Sequence, residues 1–226
     1  MILRLPLPLA PPWIGIAVVF GLVGGCGGGR QRPPATPREV PVDVAAAPAR
    51  DSVQALYESG RYREVLNNIG VGDAGPAALW FAAHSSLRLG QHEEAVRQFA
   101  RLPTVGMSAA WRVVSELALA RVEGDPEAID RVRTRPTALP LDPFVQFELG
   151  LAHASRDDFA AAAVAFDRCT EADRRFAYAY YYAGLAYNRL NRPDLMAARF
   201  ELFQRLAPEA PERPEVESIL RTVRGR

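Results

Sequence analysis

Chemistry in this chain would have to come from few side chains: three histidines (His84, His92, His153), two cysteines (Cys26, Cys169) and scattered acids. A metal needs ligands that converge, and His84 and His92 stand eight apart across a predicted helix end and turn, with no HExxH or CxxC beside them. Cys169 lies in an apolar stretch and reads as a small packing residue rather than a nucleophile. The pair Asp157-Asp158 falls in a predicted turn. There it caps the next helix, and two adjacent acids on a turn do not make a general acid and general base. The run "GGCGGG" lacks the Lys-Ser/Thr and the preceding strand of a phosphate loop. No catalytic residue, cofactor or metal is therefore expected, and the chain is read as a non-enzyme without a small-molecule substrate.

The composition points the same way. The chain has 226 residues, 49% apolar and 23% charged, as in globular proteins. Its 27 basic and 26 acidic side chains leave a formal charge of +1, and every basic one is arginine. Nucleic-acid binders need an excess of positive charge on one face, so that partner is excluded. Two cysteines cannot build a disulfide framework or a four-cysteine zinc site.

The averages conceal a boundary, since 7 of the 17 glycines and 9 of the 19 prolines lie in the first 50 residues. An apolar run, "WIGIAVVFGLV", extends from Trp13 to Val23. A helix crossing a membrane needs about 20 apolar residues, so this shorter run suits the apolar core of an export signal. Val23-Gly24-Gly25-Cys26 resembles the lipobox of bacterial lipoproteins. The resemblance implies a signal peptide over 1–25, lipidation of Cys26 and a membrane anchor. An ordinary secretory signal with an incidental Cys26, or an uncleaved anchor, are the other readings. Gly27 follows the cysteine instead of the aspartate that marks inner-membrane retention in many Gram-negative bacteria, which favours the periplasmic face of the outer membrane. Residues 26–50, rich in Gly, Pro and Ala, form a flexible, disordered linker because they cannot bury enough apolar surface to offset their ordering entropy.

From residue 51 on, internal repetition decides the fold. The segments "SGRYREVLNNI", "LGQHEEAVRQF", "EGDPEAIDRV", "RDDFAAAAVAF" and "LNRPDLMAARF" repeat one pattern. A turn residue (Gly60, Gly90, Gly124, Asp157, Asn191) precedes a mostly small residue (Val65, Ala95, Ala128, Ala162, Met196) and an apolar one (Ile69, Phe99, Val132, Phe166, Phe200). Successive turns lie about 34 residues apart, only the first interval, Gly60 to Gly90, being clearly shorter. An apolar helical stretch stands before each turn, and Gly150 and Gly184 occupy the same place in the two best copies, where a glycine lets a neighbouring helix come close.

This pattern resembles the tetratricopeptide repeat (TPR), an antiparallel helix pair of about 34 residues. The resemblance implies an all-α, right-handed α-solenoid of about five TPR-like helix pairs. The copies run approximately over 51–75, 76–108, 109–142, 143–176 and 177–210, with a C-terminal capping helix at 211–226. Copies one and three are degenerate. In this family the first helix of each pair lines a concave face. Alignment puts Trp80, His84, Val113, Leu117, Phe144, Phe147, Leu151, Tyr178, Tyr181, Leu185 and Asn188 there. The run Tyr178, Tyr180, Tyr181, Tyr182 and Tyr187 is read as too rich for core alone, because consecutive helix positions face different ways. These residues predict an apolar, aromatic groove for a protein or peptide segment. The expected function is a membrane-anchored interaction scaffold of the bacterial envelope, serving outer-membrane, pilus or secretion assembly. The alternative is a non-catalytic accessory subunit of a peptidoglycan synthase or hydrolase.

Overall fold

A computed structural model describes residues 53–69, 75–134 and 141–225. The expected export signal, Cys26 and the expected linker lie outside the described residues. Among the described residues there are eleven helices and no strand: α1 Val53–Glu58, α2 Tyr62–Ile69, α3 Pro76–Arg88, α4 His92–Gly106, α5 Ala109–Glu123, α6 Pro126–Arg133, α7 Pro143–Ala154, α8 Phe159–Ala172, α9 Ala177–Arg189, α10 Pro193–Leu206 and α11 Arg213–Arg224.

Local chemistry sets where these helices begin. Asp125, Asp142 and Asp158 accept backbone N–H bonds from the first turns of α6, α7 and α8, and Ser108 does so for α5. These contacts satisfy amides that a helix start leaves without a partner. Pro76, Pro126, Pro143 and Pro193 each open a helix, where a proline's missing N–H costs nothing. The turn residues singled out by the repeat pattern all take the left-handed conformation: Gly60, Gly90 and Gly124 at φ 75°, 74° and 69°, Asp157 and Asn191 at 57° and 55°. One backbone bend thus joins the two helices of every pair, and the last two copies make it with residues that tolerate this region less well than glycine.

Within a pair, close approach is specified by glycine. A Cβ on Gly150 would lie 2.5 Å from the ring of Phe166, and one on Gly184 would lie 2.5 Å from the ring of Phe200. Glycine and ring are both displaced by one whole repeat between the two sites, so α7–α8 and α9–α10 make the same contact twice. The second helices α2, α4 and α8 also pack on the first helix of the following pair, and α1 packs on α3 and α5 on α7. The degenerate copies are the short ones, with six and eight residues in α1 and α2 and eight in α6. At the end, α11 buries Val216 and Leu220 and leaves Arg213, Glu217 and Arg221 in solvent, the two-faced character of a cap.

Candidate functional site

The structure corrects the groove. Trp80, His84, Val113, Leu117, Phe147, Leu151, Tyr178, Tyr181 and Leu185 are buried, Phe144 is half-buried and only Asn188 is exposed. Curvature is the reason: the first pair meets the last, and the rings meet across the concave face. Trp80 lies 5.1 Å from Phe144, 5.4 Å from Phe147 and 5.7 Å from Phe176, and Tyr57 lies 5.2 Å from Tyr178. Tyr181 turns to its own pair instead, 5.1 Å from Phe203 and 6.1 Å from Phe200. From Tyr178 to Tyr182 the tyrosine run of α9 is core after all. Tyr178 meets α1, Tyr181 meets α10 and Tyr182 meets Phe147 and Phe166, so every face of this helix is covered.

Beside this aromatic plug sits a polar cluster that joins three first helices. The fully buried Glu148 of α7 accepts hydrogen bonds from Trp80 Nε1 at 2.9 Å and Arg121 at 3.1 Å, and meets His84 Nε2 at 2.6 Å. Burial works against the Glu148 charge, but the Arg121 guanidinium, helped by the hydrogen bond from His84, outweighs it and holds the carboxyl at about 2. Burial pushes the His84 ring below its ordinary value despite the neighbouring carboxylate, so the ring is neutral and its Nε2–H donates to Glu148.

The plug occupies the N-terminal halves of α3, α7 and α9. Their C-terminal halves, with that of α5, leave a cup of about 490 Å³ that opens toward the turn edge. Leu87, Val122, Leu151 and Tyr182 supply apolar wall, His84 lines the cup, and Arg88, Arg121, Arg189, His92 and Asp157 bring charge and polarity. Arg88, Arg121 and Arg189 each stand in the last turn of their helix, where the helix dipole favours a cation. The arginines are also internally compensated: Arg121 by Glu148, Arg88 by Glu212 at 2.9 Å and Arg189 by Asp157 at 3.9 Å. The cup therefore offers an apolar wall with a charge-balanced rim.

The remaining chemistry candidates have structural roles. Asp158 caps α8 and receives His153 Nδ1 at 3.0 Å, while Asp157 makes the left-handed turn. Cys169 is buried, and that burial pushes its thiol well above the ordinary value, away from nucleophile chemistry. Among the described residues no group of three or more His, Cys, Asp and Glu is placed to hold a metal. Sequence reasoning missed Glu58, Arg88, Glu148 and Glu212. The available signal was Glu148 itself, a lone charge between Phe147 and Leu149 in a helix apolar on all sides, where an acid is almost never buried without partners.

No family model matches the chain, and no curated protein matches it. Among solved structures it is similar to TTC0263, a thermophilic TPR protein of Thermus thermophilus, at 17% identity over 74% of this chain and 95% of that one, with a TM-score of 0.49. It is also similar to the C-terminal part of a TPR repeat-containing protein from Cytophaga hutchinsonii (19% identity, 76% and 70% covered, TM-score 0.37). A third is MamA AMB-1 (16% identity, 74% and 94% covered, TM-score 0.37). By its own helix pairing, the left-handed turn inside each pair and a glycine contact that recurs one repeat later, the fold is a TPR-like all-α array.

Proposed function

We propose that this chain is a non-catalytic, protein-binding scaffold of the bacterial cell envelope, tethered through a lipid on Cys26. It takes a partner segment at the open half of its concave side. The observation that carries the reading is the cup: about 490 Å³, within the range of ligand-binding clefts, walled by Leu87, Val122, Leu151 and Tyr182 and rimmed by polar groups. An apolar side chain of a partner fits such a wall, and the balanced rim favours recognition by shape over recognition by charge. Gly27 after the cysteine favours the outer membrane.

Photo-crosslinkers at Leu87 and Val122 in the cup and at the exposed Val164 on α8 test this in the native envelope. Both cup positions should capture one and the same partner and Val164 should not. Equal capture at all three positions, or none in the cup, overturns it.

A further inference from the structure

We propose that the contact of the first two copies with the last repeat and the cap is a releasable latch, which holds the concave side closed and parts to widen the cup. This rests on the reading of the cup as the binding site.

The latch joins elements far apart in the chain through a handful of side chains, whereas successive repeats are packed helix against helix. Tyr57 of α1 stands 5.2 Å from Tyr178 of α9. Tyr178 donates its hydroxyl to Glu212 at 2.7 Å, and Arg88 pairs with the same carboxylate at 2.9 Å. The Arg88 guanidinium lies 5.9 Å from the Tyr62 ring and 5.6 Å from the Tyr178 ring. Pro211 lies against Gly60, where an added Cβ would be 3.3 Å from the proline ring. Tyr57 and Arg88 also line the cup, so separation along this line enlarges the cavity from one side. A buried ion pair repays little of its desolvation cost, so the Arg88–Glu212 pair at the polar centre of this contact is one whose partners water can replace when it parts.

Glu58 supplies the trigger. It is buried at the end of α1, and its carboxyl accepts the backbone N–H of Ala177, the first residue of α9. The preceding Phe176 offers α9 no side-chain cap, so the cap comes across the latch from Glu58. The groups facing the carboxyl are Gln54 on its own helix, donating at 3.0 Å, the Ala177 N–H, Asp173 repelling and Arg175 attracting. Burial dominates and raises Glu58 to about 7. The closed value lies above the ordinary 4.5, so closure is fully favoured below pH 4.5. That advantage falls about tenfold per pH unit as pH rises toward 7 and is lost above it, because the open state releases the proton more readily.

Spin labels at Arg61→Cys and Glu209→Cys, two exposed positions flanking the latch, in the full chain carrying Cys26→Ser, measure the opening without any partner. A single short distance is expected at pH 5 and a growing longer population at pH 8. Glu58→Gln, which keeps the shape and removes the charge, should hold the short distance at both. Arg88→Met should raise the longer population at both. An unchanged distance in the parent chain between the two pH values, or a full pH response surviving Glu58→Gln, overturns the latch. Neither outcome bears on the crosslinking test of the cup, which reads a partner and not a distance.

Discussion

Three donors from two helices, Trp80 and His84 of α3 and Arg121 of α5, converge on the carboxylate of Glu148 of α7, and the arrangement makes this residue the main polar tie between copies two, three and four. Glu148→Gln keeps the volume but leaves the Arg121 charge without its anion. Removing one partner of a buried pair costs about 3–5 kcal/mol, and the part-exposure of Arg121 places the expected loss at the lower end. Urea unfolding at pH 7 reads it directly. The pH dependence has a definite sign. Glu148 binds its proton less readily in the folded chain than in the unfolded one, so its contribution is complete above 4.5 and is lost as pH falls toward 2. His84 is likewise depressed, so its share is complete above 6.5 and weakens below that value, as the unfolded chain takes up a proton that the folded ring refuses. Glu58 runs the opposite way. Glu148→Gln should flatten the decline below pH 4.5, and an unchanged profile would contradict the assignment of that carboxylate.

At the scale of the helix pair, the repeated glycine contact makes a sharper claim than any one side chain. Gly184→Ala places a methyl where Phe200 stands, and overpacking of this kind costs about 1–3 kcal/mol. Phe200→Leu in the same chain should recover part of the loss, and the two changes should be coupled in a double-mutant cycle, since they touch. Additive effects would show that the close approach of α9 and α10 is not what the glycine serves. This scale is the most legible in the sequence. The turn residues Gly60, Gly90, Gly124, Asp157 and Asn191 announce the bends, because few residue types adopt a left-handed φ, and Gly150 and Gly184 announce the helix contacts. The spacing of copy three is legible too, although its second helix is only eight residues long.

At the scale of the molecule the sequence says less. A repeat period defines a unit but not the small rotation between units, and that rotation decides whether a concave face stands open or closes on itself. Alignment to the repeat family it resembles therefore sets Trp80, Phe147 and Tyr178 along a groove, whereas in the folded chain they fill it. The same gap hides Arg88 and Glu212, whose pairing spans the chain from copy two to the cap and has no local signature. The lipid anchor is a separate claim at this scale. Cys26→Ser should move the protein from the membrane fraction to the soluble fraction and abolish incorporation of labelled fatty acid. Retention in the membrane with normal processing would remove the anchor from the proposal.

The plug and the cup lie at opposite ends of the first helices, and α1 begins at Val53, at the plugged end, while its Tyr57 reaches the cup. Chain arriving from a lipidated Cys26 would thus join beneath the closed floor of the molecule. The cup therefore opens at the end of the first helices away from the point where residues 1–52 attach.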